Sequence, residues 1–339
     1  DIPTPHLDAL AKHGVRFAQG YVSGPYCSPT RAGLMTGRYQ TRFGHEFNPV
    51  YDPLDKNEGL PLGEKLFPQF MKDSGYKTGW VGKWHLGSFP AYIPSQRGFD
   101  DTFGFIGGGH RYQDWVPNER QYTLPIMKND KAVDVKNHVT TALAEQAAAF
   151  VQAQVDKPWF LYLAFNAPHT PHEPTAQKLE QFAKIQNLQR RKLAAQISLL
   201  DDAIGVVMDR LHSSKQSEST LVFFLSDNGG PTQSGAINTP LRGAKGTVYE
   251  GGIRVPLLAW GPGRVKAGAV AVVARPGAKV EGAVHVADVE PRRAFAALAQ
   301  ETASEIMRRG PDRRIDSEAG QLIHGRMTKA VFTRSFHRS

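Results

Sequence analysis

The stretch that decides both fold and chemistry is Tyr26-Cys27-Ser28-Pro29-Thr30-Arg31-Ala32-Gly33-Leu34-Met35-Thr36-Gly37-Arg38, which contains the single cysteine of the chain. Ser28 is a favourable helix N-cap, Pro29 suits the first helical position, and Gly37 is suited to end the helix. The pattern predicts that Cys27 lies where a loop turns into a helix, beside free backbone N–H groups and the positive end of the helix dipole. Arg31, one turn further on, adds a fixed positive charge.

The pattern Cys27-x-Pro29-x-Arg31, together with the run that follows it to Arg38, resembles the signature of the type I sulfatases. Taken alone, a single cysteine is more often an inert buried thiol. The resemblance implies that a formylglycine-generating maturation enzyme oxidises Cys27 to Cα-formylglycine (3-oxoalanine), whose aldehyde hydrate is the nucleophile. It also implies an alkaline phosphatase-like α/β fold, a mixed, mostly parallel sheet sandwiched by helices, with the C-terminal subdomain missing or degenerate.

Length and composition set broad limits. A chain of 339 residues allows one large α/β domain, or one such domain with a small appendage. Hydrophobic content of 40% and charged content of 22% are ordinary for a globular protein, and neither a membrane span nor a signal peptide is predicted. One cysteine excludes an intrachain disulfide and a thiolate zinc site. The net charge of +9 would suit a polyanionic partner, or it reflects an uneven basic tail.

Lys83 and His85 follow a predicted strand and stand among glycines. Two residues apart on an extended backbone, they would point the same way. They are either an exposed pair at a strand end, or an oxyanion site in which His85 handles protons. Beside Cys27 the pair resembles the second motif of the family, where the lysine binds sulfate and the histidine contacts the formylglycine.

His169 comes shortly after the apolar run 159–165, which predicts a buried, parallel strand. Loops at the carboxyl ends of strands are where open α/β sheets place their chemistry. By resemblance, His169 is the family histidine that binds sulfate and can protonate the leaving alcohol.

Asp227 and Asn228 follow a second predicted buried strand, 221–225. An Asp-Asn-Gly turn is the commoner interpretation, and a pair of ligands for a hard cation is the alternative. By resemblance they are the metal pair of the family, with Ca²⁺ the usual ion and Mg²⁺ the alternative. The family has two more aspartates on a strand ahead of the cysteine motif. No such Asp-Asp pair precedes Cys27 here, which predicts much weaker cation binding.

Lys245 lies between glycines in the run 240–256. The glycines let the backbone come close and aim one charge inward. The run resembles the last motif of the family, whose lysine bridges the sulfate and the leaving oxygen. Elsewhere, apolar spacing predicts a helix over about 60–75 and a long one, broken or bent, over about 177–211.

We therefore predict a sulfatase catalytic domain over residues 1–263, N-terminally truncated, and a divergent basic tail over residues 264–339, which is either disordered or a remnant of the C-terminal subdomain. The predicted activity is hydrolysis of sulfate monoesters of a sulfated sugar or glycan, with no nucleic-acid partner and, by resemblance, a periplasmic or secreted location. Arg31 would hold the nucleophile loop. Open alternatives are a phosphonate or phosphodiester hydrolase of the same superfamily, and an inactive binder of sulfated glycans.

Overall fold

The computed structural model describes residues 2–118, 120–271, 284–285 and 329–334. The rest of the predicted tail, residues 272–283, 286–328 and 335–339, lies outside the described residues. Among the helices of the described part, none is long and apolar enough to cross a membrane.

The described chain alternates helices and strands. The helices are α1 (Pro5–His13), α2 (Cys27–Thr36), α3 (Phe67–Asp73), α4 (Val139–Ala153), α5 (Ala176–Gln181), α6 (Leu188–Ser213) and α7 (Glu250–Ile253). The strands are β1 (Val15–Phe17), β2 (Gly20–Tyr21), β3 (Lys77–Lys83), β4 (Asp101–Phe105), β5 (Ile126–Lys128), β6 (Lys131–Val133), β7 (Trp159–Ala164), β8 (Thr220–Leu225), β9 (Leu257–Trp260), β10 (Ala269–Ala271), β11 (Val284–His285) and β12 (Lys329–Arg334).

One large mixed sheet organises the described residues, in the order β10-β1-β9-β8-β12-β7-β3-β4-β5-β6. Strands β5, β9 and β12 run against the other strands of this sheet, which share one direction. A second, two-stranded sheet pairs β11 with β2 in parallel. Seven of the ten strands share one direction, so the sheet is mixed, as the sequence predicts, and three of its nine neighbouring pairs are parallel.

The side chains of strand β7 alternate between two apolar cores, one on each face of the sheet. All six of its residues are buried, as expected for a central strand of an α/β sheet. Leu161 and Leu163 pack with α1, α4 and α6 in one apolar core. Phe160 and Tyr162 point the other way, into a core that includes residues of α2 and α3. Alternation along the strand thus places helices on both sides.

The directions of β3, β7 and β8 bring their carboxyl ends to one edge of the sheet. Lys83 is the last residue of β3, the segment 166–169 follows β7, and Asp227 comes two residues after β8. Ligand and catalytic groups of α/β sheets gather at this edge.

One helical prediction needs correction, and the break expected in a second helix is confirmed. The helix expected over 60–75 is only Phe67–Asp73. The Arg97 guanidinium donates to the carbonyls of Leu60, Pro61 and Glu64, which supply no helical hydrogen bonds. The helix expected over 177–211 is two helices, α5 and α6, and the Asn187 side chain caps the second one by accepting from the Arg190 amide.

Candidate active site

Cys27 is the first residue of α2, and its side chain is buried. The helix begins two residues earlier than the capping pattern predicts, with Tyr26 as N-cap, so Ser28 is not the capping residue. Gly37 ends the helix in the left-handed conformation at φ 64°, and its N–H donates to the Gly33 carbonyl, as predicted. Cys27 thus stands at the positive end of the helix dipole.

Two lysines face the Cys27 sulfur from distant parts of the chain. The Lys245 Nζ donates to Sγ at 3.2 Å, and Lys83 is buried at the end of β3. Burial opposes ionisation of Cys27, but the positive charges of Lys83 and Lys245 hold the pKa of the thiol well below its ordinary value. The interpretation of Lys83 as an exposed residue is therefore wrong.

The pKa values of the two lysines shift in opposite directions, although both lysines lie beside Cys27. Burial lowers the pKa of Lys83 to about 8. Although burial also acts on Lys245, the negative charges of Cys27 and Asp227 raise the pKa of that lysine. Lys245 therefore keeps its proton at neutral pH.

Arg31 ties the helix to both neighbouring strand ends. Its Nε donates to the Asp227 carboxylate at 3.3 Å, in a salt bridge whose side chains are 2% and 5% exposed. Its Nη1 donates to the Lys83 carbonyl at 2.8 Å. A buried guanidinium with both contacts fixes α2 relative to β3 and β8.

His85 is buried beside the cluster and neutral at physiological pH. Burial and the charge of Lys83 lower the pKa of its ring to about 3. Neither ring nitrogen makes a hydrogen bond of good geometry within the described residues, but the nearby Cys27 side chain acts on the ring and opposes the fall in its pKa. Its backbone has φ 61°, so Lys83 and His85 are not related by the extended geometry that the sequence predicts. The interpretation of His85 as an exposed residue is wrong as well.

His169 lies in the same pocket. Its Nδ1 is 2.7 Å from the Thr170 carbonyl oxygen, which only accepts, so Nδ1 carries the proton and Nε2 is left for the pocket. Burial and the charge of Lys83 lower the pKa of the ring. The pocket is lined by Arg31, Lys83, Phe165, Asn166, Ala167, His169 and Asp227.

Gly108 and Gly109, two residues of the glycine run 107–109, pack directly on both histidines. A Cβ on Gly108 would lie 2.7 Å from His85 Nε2, and one on Gly109 would lie 3.1 Å from His169 Nδ1. Side chains at these positions would displace the rings. The glycine triplet itself was the only sequence signal of this close approach.

The metal pair predicted from sequence lies next to Cys27. The Asn228 Oδ1 is 3.4 Å from Cys27 Sγ, and Asp227 already pairs with Arg31. The described residues contain no group of three or more His, Cys, Asp or Glu that could hold a metal ion. One carboxylate among three cationic side chains does not fit a divalent cation that needs six or more oxygen ligands. A calcium ion here would need further oxygen ligands besides these two side chains.

The chain is similar in sequence to known proteins of one family. The family model described as Sulfatase matches residues 1–292. The chain is 39% identical over 263 residues to arylsulfatase J of Mus musculus, an alignment covering 75% of this chain and 43% of that protein. It is 36% identical over 293 residues to N-acetylgalactosamine-6-sulfatase of Homo sapiens, covering 79% and 54%. The chain spans about half the length of the curated relatives it matches.

Solved structures share the fold. The crystal structure of Ps i-CgsB in complex with k-i-k-neocarrahexaose superposes with a TM-score of 0.81 at 37% identity, covering 88% of this chain and 67% of that one. The PsFucS1 sulfatase from Pseudoalteromonas sp. superposes with a TM-score of 0.69 at 25% identity, covering 98% and 68%.

Proposed function

This chain belongs to the sulfatase family, in the alkaline phosphatase-like superfamily, and on that premise we propose that it hydrolyses sulfate monoesters of a sulfated sugar or glycan. One observation carries the proposal. Lys83, Lys245 and Arg31 place three positive charges around a buried side chain at a helix N-terminus. Such a cluster matches a tetrahedral anion, because preorganised charges in a water-poor site stabilise negative charge most strongly.

We assign the nucleophile to residue 27 after conversion of Cys27 to formylglycine by a maturation enzyme. In its hydrated form that group supplies an oxygen nucleophile, which the unmodified thiol lacks. The lowered pKa of the thiol supports the assignment, because the surroundings that stabilise a thiolate would also stabilise an alkoxide at this position. Arg31 would hold this turn of α2 against Lys83 and Asp227.

We assign sulfate binding to Lys83, His169 and Lys245. Lys83 and Lys245 supply positive charge, and His169 presents Nε2 to the pocket. Either His169 or Lys245 gives a proton to the leaving alcohol. Lys245 already carries one at neutral pH because its pKa is raised, whereas the His169 ring is neutral and must first take up a proton from solvent, which the negative charge of the bound ester would favour.

His85 is the proposed base. Its ring is neutral at physiological pH and lies beside residue 27, so it can accept a proton there. A pKa of about 3 makes the ring a weak base in the free protein, and the negative charge of a bound sulfate ester would raise that pKa. No step is assigned to a metal; Asp227 and Asn228 would be two of the oxygen ligands that a cation beside Cys27 requires. The names of the relatives, which include an N-acetylgalactosamine-6-sulfatase, support a sulfated sugar as the substrate class.

The test combines chemistry and turnover. Mass spectrometry of the peptide that contains residue 27 should show a formyl group after coexpression with the maturation enzyme. The converted protein should hydrolyse an aryl sulfate faster than an aryl phosphodiester, and Cys27→Ala should abolish this. A faster phosphodiester reaction would favour the phosphodiesterase alternative. A converted protein that binds sulfated glycan without turnover would favour the binder.

A further inference from the structure

The buried hydroxyl of Ser28 joins three segments next to residue 27. Its Oγ is 2.5 Å from the His85 carbonyl oxygen and 2.6 Å from His45 Nε2. The Ser28 amide donates to Asn48 Oδ1 at 2.9 Å. Ser28 is 0% exposed and His45 is 6% exposed, so water does not replace these contacts.

We propose that Ser28 and His45 are positioning residues, which hold residue 27 and His85 in fixed relation through this single hydroxyl. The inference rests on the proposed function, in which residue 27 is the nucleophile and His85 the base. Position 28 is the variable position of the Cys-x-Pro-x-Arg pattern, so the pattern gives no sign of this role.

The protons available on Ser28 and His45 fix the direction of both hydrogen bonds of the Ser28 hydroxyl. A carbonyl oxygen only accepts, so the one hydroxyl proton of Ser28 goes to the His85 carbonyl. Ser28 Oγ must then accept, and His45 must donate from Nε2. Burial lowers the pKa of His45, so the ring is neutral at neutral pH and carries one proton, which this arrangement places on Nε2.

A competing arrangement exists within the same contacts. His45 Nδ1 lies 3.2 Å from the Gly59 carbonyl oxygen. A ring protonated on Nδ1 would donate to Gly59 and accept from Ser28, which would leave the His85 carbonyl without the Ser28 proton. The shorter contact of Ser28 with the His85 carbonyl favours the first arrangement.

The backbone of His85 needs this support. Its φ of 61° lies in the left-handed region, which a residue with a Cβ adopts at a cost. Such a conformation persists where its surroundings hold it. The His85 amide donates to the Ile106 carbonyl at 2.9 Å, and its carbonyl accepts from Ser28. Loss of the Ser28 bond would release one of these two restraints beside the reacting residue.

The first test reads the ring itself and needs no activity. Nitrogen-15 NMR of imidazole-labelled wild-type protein at neutral pH, assigned with His45→Gln, should show His45 protonated on Nε2. Protonation on Nδ1 would overturn the hydrogen-bond assignment, because Ser28 would then donate to His45.

The second test uses turnover by protein whose residue 27 is shown to be converted by mass spectrometry. Ser28→Ala and His45→Ala should each lower kcat by about ten- to a hundredfold with KM nearly unchanged, the range expected for small displacements of reacting groups. His45→Gln should restore most of kcat, because its side-chain amide can donate to Ser28. Thr36→Val removes another buried hydroxyl of α2, one that donates to the Ala32 carbonyl, and should leave kcat unchanged.

The outcomes separate the two proposals. Equal kcat for converted Ser28→Ala and wild type would overturn the positioning role, and so would a loss of kcat in His45→Gln as large as in His45→Ala. If converted wild type hydrolyses no sulfate ester, the proposed function fails, and the NMR result alone decides the role of the hydroxyl.

Discussion

The ammonium group of Lys245 lies 3.2 Å from the sulfur of Cys27, although the two residues are 218 positions apart in the chain. The loop that carries Lys245 is held in place by backbone bonds, since the Gly246 amide donates to the Pro25 carbonyl at 3.1 Å. The positive charge of Lys245 thus acts on the Cys27 side chain, although the two residues are far apart in sequence. The physical consequences can be measured without turnover.

We expect Lys83→Met and Lys245→Met to raise the pKa of the Cys27 thiol in unconverted protein. Each change removes a positive charge that stabilises the thiolate against the cost of burial. Because the chain has one cysteine, its ultraviolet thiolate absorbance against pH measures this group alone. The exposed Lys12→Met is the matched control. A thiol that titrates equally in all four proteins would contradict the assignment of the two lysines.

Acid should destabilise the protein over a pH range that the titration of His85 defines. The unfolded chain binds a proton at this ring below about pH 6.5, whereas the folded chain takes it up only near a pKa of about 3. Between these values the unfolded state holds more protons, so the free energy of unfolding decreases as the pH falls and levels off below this range. In urea titrations, His85→Gln should reduce this slope, and the exposed His13→Gln should not. An unchanged slope in His85→Gln would show that the ring is not buried in neutral form.

Asp201→Asn should lower the free energy of unfolding by about 1–3 kcal/mol, the cost of leaving a buried group unsatisfied. The two carboxylate oxygens of Asp201 accept from the amides of His6 and Leu7 at 3.0 and 2.9 Å, and thereby dock α1 on α6. An asparagine offers only one acceptor oxygen. Asp202→Asn is the control, since its side chain is 52% exposed and its ion pair with Lys178 is a surface contact. Equal losses for the two variants would contradict the docking role.

Gly82→Ala should prevent folding, as measured by soluble expression and circular dichroism. Gly82 has φ 116°, and a Cβ there would lie 2.0 Å from the Ala164 carbonyl oxygen on the paired strand β7. Backbone cannot move aside as a flexible side chain can. A Cβ on Gly63 meets no atom within 4 Å, so Gly63→Ala should fold normally. A folded Gly82→Ala of wild-type stability would refute the close approach.

Calcium should leave the melting temperature of this chain unchanged, and inorganic sulfate should raise it. Asp227 is the one carboxylate near Cys27 that the described residues contribute, and Arg31 already neutralises it. The three cations of the pocket favour an anion, whose binding to the folded state stabilises that state. Chloride at equal ionic strength separates binding from screening. A calcium-dependent rise in melting temperature would contradict the cationic character assigned to this pocket.

The local sequence pattern was sufficient to predict those elements whose structure depends on neighbouring residues in the chain. The apolar runs of β7 and β8 and the end of α2 at Gly37 all lie where the residues predict them. The chemistry-bearing residues could be named because each follows a predicted strand or sits among glycines. Parallel strands then carry their carboxyl ends to one edge, which brings those residues together.

Long-range contacts decided the rest. The helix predicted from residue 60 starts at Phe67, because Arg97 from a later loop takes the carbonyls that would have propagated it. Ser28 satisfies the statistics of a helix cap, but its hydroxyl bonds to the His85 carbonyl and the His45 ring. Neither partner could be inferred from the spacing around residue 28.

The amino-acid sequence by itself determined which groups are present, the cysteine motif and the strands that deliver the other candidates, because these depend on residue type and short-range order. Only the tertiary structure decided their chemical state. Burial makes His85 neutral, two lysines from separate segments lower the pKa of Cys27, and Arg31 pairs with the nearby carboxylate of Asp227. The reason is that solvation and charge act through space, over distances that the order of residues along a chain does not specify.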